Sequence, residues 1–258
     1  MSKIVSIHSF RGGTGKSNIT ANLAAWVASN GHRVGIVDTD IQSPGIHVLF
    51  GFDAQRWGYS LNDYLWGKCP IEDTAYDVSN ILQTTAQSNR KMYLIPSSIK
   101  TGDIAKILHE GFDFYLLQNG FQALIETLNL DYLFIDTHPG LNEETLLSLT
   151  LSDILAVILR PDRQDFQGTA LTVEIARKLE VPDMFLIFTK VLPNLDLNDL
   201  KQEAEKNYRI SVAEILLYAE EILELASNDI FCIHHPNHAF STGIANIAKR
   251  ILSYKNNP

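Results

Sequence analysis

The chain has 258 residues, 45% of them hydrophobic and 20% charged, the balance of a globular protein long enough to bury a core without staples. A formal net charge of −9 argues against strong non-specific binding to nucleic acid, whose phosphates repel an acidic surface. The two cysteines, Cys69 and Cys232, stand far apart and form no C-x-x-C, so neither a zinc site nor a disulfide framework is suggested and a reducing cytoplasm is the natural compartment.

No signal peptide is expected, because the apolar start is short and runs straight into a glycine turn. That start, Lys3–His8, predicts a first strand. Ser9-Phe10-Arg11-Gly12-Gly13-Thr14-Gly15-Lys16-Ser17 follows, and then a helical period through Ile19, Leu23, Trp26 and Val27. Strand, glycine turn and helix start are the context of a P-loop, whose inward amides and helix N-terminus attract phosphate. Arg11, Gly12, Gly13, Thr14, Gly15, Lys16, Ser17 and Asn18 are thus candidates to cradle a nucleotide. Lys16 would reach the β- and γ-phosphates, and the Ser17 hydroxyl would sit on Mg²⁺. The first glycine of G-x-x-x-x-G-K-[ST] is Phe10 here.

The second strand, Arg33–Val37, ends in Asp38-Thr39-Asp40. Carboxylates two residues apart lie on one side of an extended chain, where they could hold Mg²⁺-bound water and orient an attacking water. Gly51–Asn89 is the least regular stretch and is rich in Trp57, Tyr59, Leu61, Tyr64, Leu65 and Trp66. It reads as a helical excursion packing aromatics on the core, with a partner-binding surface as the alternative. A strand at Met92–Ile95 and a helix at Phe112–Leu128 precede the strand Tyr132–Ile135, which ends in Asp136-Thr137-His138-Pro139-Gly140. An acid at a strand tip is the Walker B arrangement, and the following turn could respond to a γ-phosphate. His138 could read phosphate or protons, or fill a variable slot.

A helix at Leu141–Leu151 leads to the longest apolar run, Ile154–Leu159, too short to span a bilayer. Arg160–Asp165 then either lines a dimer face or caps the next helix, Gln167–Leu179, through Asp165. A strand at Met184–Phe188, a helix at Leu197–Asn207 and a last strand at Ile230–Ile233 follow. His234, His235 and His238 read as solvated loop histidines. The final helix carries Ile244, Ile247, Ala248, Ile251 and Leu252 on one stripe, a core face. Strands and helices alternate throughout with no linker. This predicts one α/β domain over 1–258: a doubly wound, mostly parallel sheet flanked by helices.

With these motifs in order, the sequence resembles the MinD/ParA family of deviant Walker A ATPases, P-loop NTPases. Their K-G-G-x-G-K-[ST], D-x-D and D-T-x-x-G correspond to Arg11–Ser17, Asp38–Asp40 and Asp136–Gly140. Phe188-Thr189-Lys190 resembles the family's adenine-side strand end, which makes Thr189 and Lys190 nucleotide contacts. Ala226-Ser227-Asn228 resembles a segment shortly before the last strand. The resemblance implies a cytoplasmic switch that binds ATP and Mg²⁺, forms a homodimer with ATP, hydrolyses it to ADP and phosphate, and so positions a cargo through a protein partner. It implies Asp40 as the residue that orients water, Asp38 and Asp136 with Ser17 around Mg²⁺, and Lys16 on the phosphates.

The family's hallmark lysine, which crosses the dimer to the partner's nucleotide, is Arg11 here. Arginine keeps the charge but changes the geometry. A non-hydrolysing ATP-sensing adaptor and a metallocentre-assembly ATPase are the alternatives, the latter lacking paired cysteines. Nothing in the charge or the short tail Ser253–Pro258 supports a DNA or membrane surface.

Overall fold

The strands β1 (Lys3–His8), β2 (Arg33–Asp38), β3 (Tyr76–Asp77), β4 (Lys91–Ile95), β5 (Tyr132–Asp136), β6 (Ile154–Leu159), β7 (Asp183–Val191) and β8 (Ser211–Leu217) form one eight-stranded sheet in the order β3-β4-β2-β5-β1-β6-β7-β8. The computed structural model describes residues 2–52, 58–82 and 90–254. Every neighbouring pair is parallel except β3 with β4. Parallel strands are covered on both faces, so their sequences are nearly continuous apolar runs. Every residue of β5 and β6 is buried.

The helices are α1 (Lys16–Ser29), α2 (Ile46–Leu49), α3 (Leu61–Leu65), α4 (Thr101–Glu110), α5 (Phe114–Thr127), α6 (Glu143–Thr150), α7 (Arg163–Lys178), α8 (Leu197–Tyr208), α9 (Glu220–Glu224), α10 (Phe231–His234) and α11 (Ala239–Ser253). Leu23 and Val27 of α1 and Ile244, Ile247 and Ile251 of α11 bury one face of the sheet with Val5, Ile7, Ile36 and Phe134. On the other face, α3 and α5 cover Val37, Ile95, Leu133 and Ile135, while α7 and α8 cover Leu155, Val157, Leu186 and Phe188. Among the described residues no helix is long and apolar enough to cross a membrane.

The architecture is the doubly wound one expected. Three strand assignments differ, the first being the short antiparallel β3, which falls within the irregular stretch Gly51–Asn89. Ile230–Ile233 is instead the N-cap and body of α10, where Ile230, Phe231 and Cys232 are buried and the Cys232 amide donates to Asn22 Oδ1 at 2.7 Å. The last strand is β8 instead. Its apolar run is interrupted by Glu214 and its ends are exposed, because it lies at the sheet edge. Ala226-Ser227-Asn228 accordingly follows the last strand, between α9 and α10, with Ala226 and Ser227 both left-handed (φ 48° and 60°).

Leu61 and Leu65 of the aromatic-rich stretch are buried and Tyr64 and Trp66 pack beside them, while Tyr59 is exposed. Trp57 lies outside the described residues. His234 and His235 are exposed, as expected, and each histidine also has a protein partner: His234 pairs with Asp229 at 2.7 Å, His235 stacks on Phe231, and the half-buried His238 caps α11.

The topology sets β2, β5 and β1 side by side with their carboxyl ends together. Asp38 and Asp136 are register partners, and Ile7 is the other partner of Asp136. The end of β1 is where the glycine turn begins, so the sheet brings three separated motifs to one edge.

Candidate nucleotide site

The glycine turn leaves β1 at Ser9 and enters α1 at Lys16. Gly13 and Gly15 are left-handed (φ 76° and 94°), and a Cβ at either would meet nothing within 4 Å. Glycine is required there by the backbone, and the space before the turn is open. From behind, Thr189 Oγ1 donates to the Thr14 carbonyl and Lys190 Nζ to the Gly13 carbonyl, each at 2.8 Å. In a trans peptide the following N–H points opposite to the carbonyl, so these clamps aim the amides of Thr14 and Gly15 away from β7. A cavity of about 230 Å³ is lined by Gly12 to Asn18 with Ser9, Asp40 and Pro139. Gly12 to Asn18 are the expected phosphate-cradling residues, and Arg11 is not among the walls.

Lys16 is buried with Nζ 2.9 Å from Asp136 Oδ1, which also accepts from Thr20 Oγ1 at 3.3 Å. Asp136 Oδ2 is buried and has no hydrogen-bond partner among the described residues. Asp38 accepts the amides of Asp40 at 3.0 Å and Gly45 at 3.2 Å. Burial above all, then the charges of Asp136 and Asp40, hold its carboxyl well above the usual carboxylate range, with Lys16 opposing. Three acids thus cluster near one ammonium, which touches only Asp136. That deficit of positive charge, the unpaired Oδ2 and the nearby Ser17 hydroxyl fit a hard divalent cation with oxygen ligands, as magnesium is.

Asp40 Oδ1 accepts from His138 Nδ1 at 2.6 Å and from the Ser43 amide at 3.1 Å. His138 lies one turn of loop beyond Asp136, and its carbonyl accepts the Thr145 hydroxyl at 3.1 Å. Behind this pair, His8 is fully buried. Its Nδ1 meets Thr137 Oγ1 at 2.9 Å, and Thr137 Oγ1 donates to the Ile7 carbonyl at 3.0 Å. The hydroxyl has one hydrogen, so the His8 proton sits on Nδ1. Burial first, then the charges of Lys16 and His138, push its pKa down to about 3, and it is neutral. Sequence reasoning passed over His8 because it sits inside an apolar strand.

Arg11 points away from the cavity. Its Nη1 lies 3.4 Å from Asp165 Oδ1 and 3.5 Å from Asp162 Oδ1, acids that also bind Arg160. The N-cap of α7 is Asp162 rather than Asp165. Asp162 accepts the amides of Gln164 and Asp165, while Asp165 accepts the Arg160 amide. Phe10 occupies its glycine position because its ring packs on α7 at Gly168.

A small apolar slot of about 70 Å³ adjoins the turn between Asn18, Thr189, Lys190, Tyr218, Ile222 and Phe240. Its walls are partly apolar, the chemistry that a planar base could stack against. The β8, α9 and α11 side of this slot was not singled out from sequence; the pairing of Leu217 and Tyr218 at a strand end is the signal that would have marked it.

The family described as AAA domain matches residues 2–181. The septum site-determining protein MinD of Bacillus subtilis is 26% identical over 262 residues, covering 98% of this chain and 90% of that protein. An uncharacterised ATP-binding protein of Methanocaldococcus jannaschii is 27% identical over 180 residues, 69% of this chain, and the match spans only 61% of that protein's length. The structure of the septum site-determining protein MinD complexed with Mg-ADP from Pyrococcus horikoshii superposes with a TM-score of 0.79, covering 98% of this chain and 97% of its own at 20% identity. It shares the fold.

Proposed function

Because the chain belongs to the AAA-domain family, as a P-loop ATPase of the MinD/ParA type, we propose that it is an Mg²⁺-dependent ATP-driven switch, one domain over residues 1–258, that hydrolyses ATP to ADP and phosphate and dimerises while ATP is bound. Such a switch positions or organises a cargo in the cytoplasm through a protein partner. The observation that carries this reading is the meeting of Lys16, Asp40 and the open glycine cradle in one cavity, with Asp38 and Asp136 behind it.

The parts have separate roles in this proposal. The turn's amides and Lys16 bind the phosphates, Lys16 exchanging its contact with Asp136 for phosphate oxygens. Asp40 orients the attacking water and takes up its proton. Thr189 and Lys190 hold the turn and flank the base. Ser17, Asp38 and Asp136 would hold magnesium, which neutralises phosphate charge when bound. The Mg-ADP of the Pyrococcus horikoshii structure supports magnesium and nucleotide as the ligands of this fold. Arg11 reaches the partner's nucleotide after leaving Asp162 and Asp165. Its hold on these acids within one subunit favours a second reading, a non-hydrolysing ATP sensor.

Phosphate release measured with ATP and Mg²⁺, beside size-exclusion chromatography with and without ATP, tests the proposal. Turnover together with an ATP-dependent shift to a dimer is expected. ATP binding with no phosphate released selects the sensor.

A further inference from the structure

We propose that His138 is a positioning residue for hydrolysis: its Nδ1–H fixes the rotamer of Asp40, anchoring Oδ1 so that Oδ2 is the oxygen presented to the attacking water. This inference rests on the reading of Asp40 as the water-orienting group.

Four observations carry it. The Nδ1 to Oδ1 distance is 2.6 Å, and both side chains are largely buried, at 19% and 12% exposure. A carboxylate oxygen only accepts, so the hydrogen lies on His138 Nδ1. The second bond to Asp40, from the Ser43 amide, falls on the same oxygen, and among the described residues Oδ2 has no hydrogen-bond partner. Asp40 lines the cavity with Lys16 and Ser17, beside Pro139, the residue that follows the histidine.

His138 is itself held. The Thr145 hydroxyl on α6 binds its carbonyl, and Asn142 caps the same helix by accepting the Thr145 amide at 2.8 Å. The half-buried Glu144 lies near both partners. Burial raises its carboxyl first, the charge of Asp40 adds to this, and His138 opposes it. An aspartate alone rotates freely about two torsions, whereas one oxygen pinned by two donors leaves a single direction for the other. Because His138 belongs to the turn that follows Asp136, the water-orienting carboxylate of β2 is set by the same segment that ends the Walker B strand.

The test uses the full chain with Mg-ATP and four variants: His138→Ala, His138→Asn, Asp40→Asn and Asp40→Asn with His138→Ala. Asparagine places an amide N–H near the position of Nδ1. His138→Ala should lower kcat about tenfold to 10²-fold, the scale of a misplaced reacting group, with the affinity for a fluorescent ATP analogue within twofold of wild type. His138→Asn should recover much of that loss. In the Asp40→Asn background, His138→Ala should change nothing further, since the group it positions is gone.

Wild-type or faster turnover in His138→Ala, with Asp40→Asn inactive, overturns the role of His138 and leaves the reading of Asp40 standing. An equal fall in kcat and nucleotide affinity, unrescued by asparagine, also overturns it by showing a structural role alone. Wild-type turnover in Asp40→Asn overturns both.

Discussion

The ring of Phe10 fills the space that a side chain on Gly168 would need: a Cβ there would lie 2.0 Å from Phe10 Cδ1. The nucleotide turn is thereby wedged against α7, the helix whose first residues hold Arg11. Gly168→Ala should destabilise the fold by about 1–3 kcal/mol, the usual cost of overpacking, and weaken ATP binding by displacing the turn. Phe10→Ala in the same chain should remove most of that cost. Urea denaturation of the two single variants and the double variant gives the coupling, and strict additivity would show that the ring does not seat on the glycine.

Lys16→Ala should weaken ATP binding by about 2–4 kcal/mol, since a buried phosphate charge loses its counter-ion. The same change leaves Asp136 without its 2.9 Å partner among two other carboxylates. Titration with a fluorescent ATP analogue measures the loss, and affinity equal to wild type would refute the assignment of the turn.

Arg11→Ala should leave ATP binding by the isolated subunit nearly intact, because Lys16 and the turn remain, while dimerisation and turnover fall. Arginines supplied to a phosphoryl-transfer site are worth about 10³–10⁵ in rate with a cognate activator, and a smaller effect is expected without one. The ion pairs of Arg11 are partly exposed, so stability should change by less than about 1 kcal/mol. Mixing Arg11→Ala with Asp40→Ala should restore activity at one site of the mixed dimer. A mixture no more active than its parents would confine Arg11 to its own subunit.

The buried His8 gives the fold an acid sensitivity whose sign follows from its lowered pKa. The folded protein keeps it neutral down to about pH 3, while the unfolded chain takes up a proton near the ordinary 6.5. Its contribution is therefore intact above pH 6.5 and is lost as pH falls, at about 1.4 kcal/mol per unit between 6.5 and 3. Comparing unfolding free energies at pH 7.5 and 5.5 should show wild type losing stability and His8→Asn losing less. Parallel losses would place the acid sensitivity elsewhere.

The nucleotide turn, the three acids and the alternation of strands and helices were legible because each is local. Glycine at a left-handed position, an acid at a strand tip and an apolar run all state their purpose within a few residues. The partners of those residues were not legible, since they arrive from far along the chain. Arg11 finds Asp162 and Asp165, Asp40 finds His138, and Phe10 finds Gly168 only once the sheet order is fixed. The edge strand β8 was missed for another reason. An edge strand has one neighbour and exposed ends, so Glu214 sits in it without cost and the buried-strand pattern is lost.

The grip of Thr189 and Lys190 on the carbonyls of Thr14 and Gly13 has a thermodynamic consequence. One residue before its end, β7 holds a left-handed Lys190 (φ 54°), a conformation that costs about 1–2 kcal/mol for a residue with a Cβ. That cost, and the conformational entropy of the glycines, fall within folding. Nucleotide meets a turn already restrained, and less of its binding energy is spent on ordering the chain. Loosening the grip, as Thr189→Ala and Lys190→Ala would, should therefore move part of that entropy back into the binding step. It should appear as a more unfavourable binding entropy even though every atom that touches phosphate is unchanged.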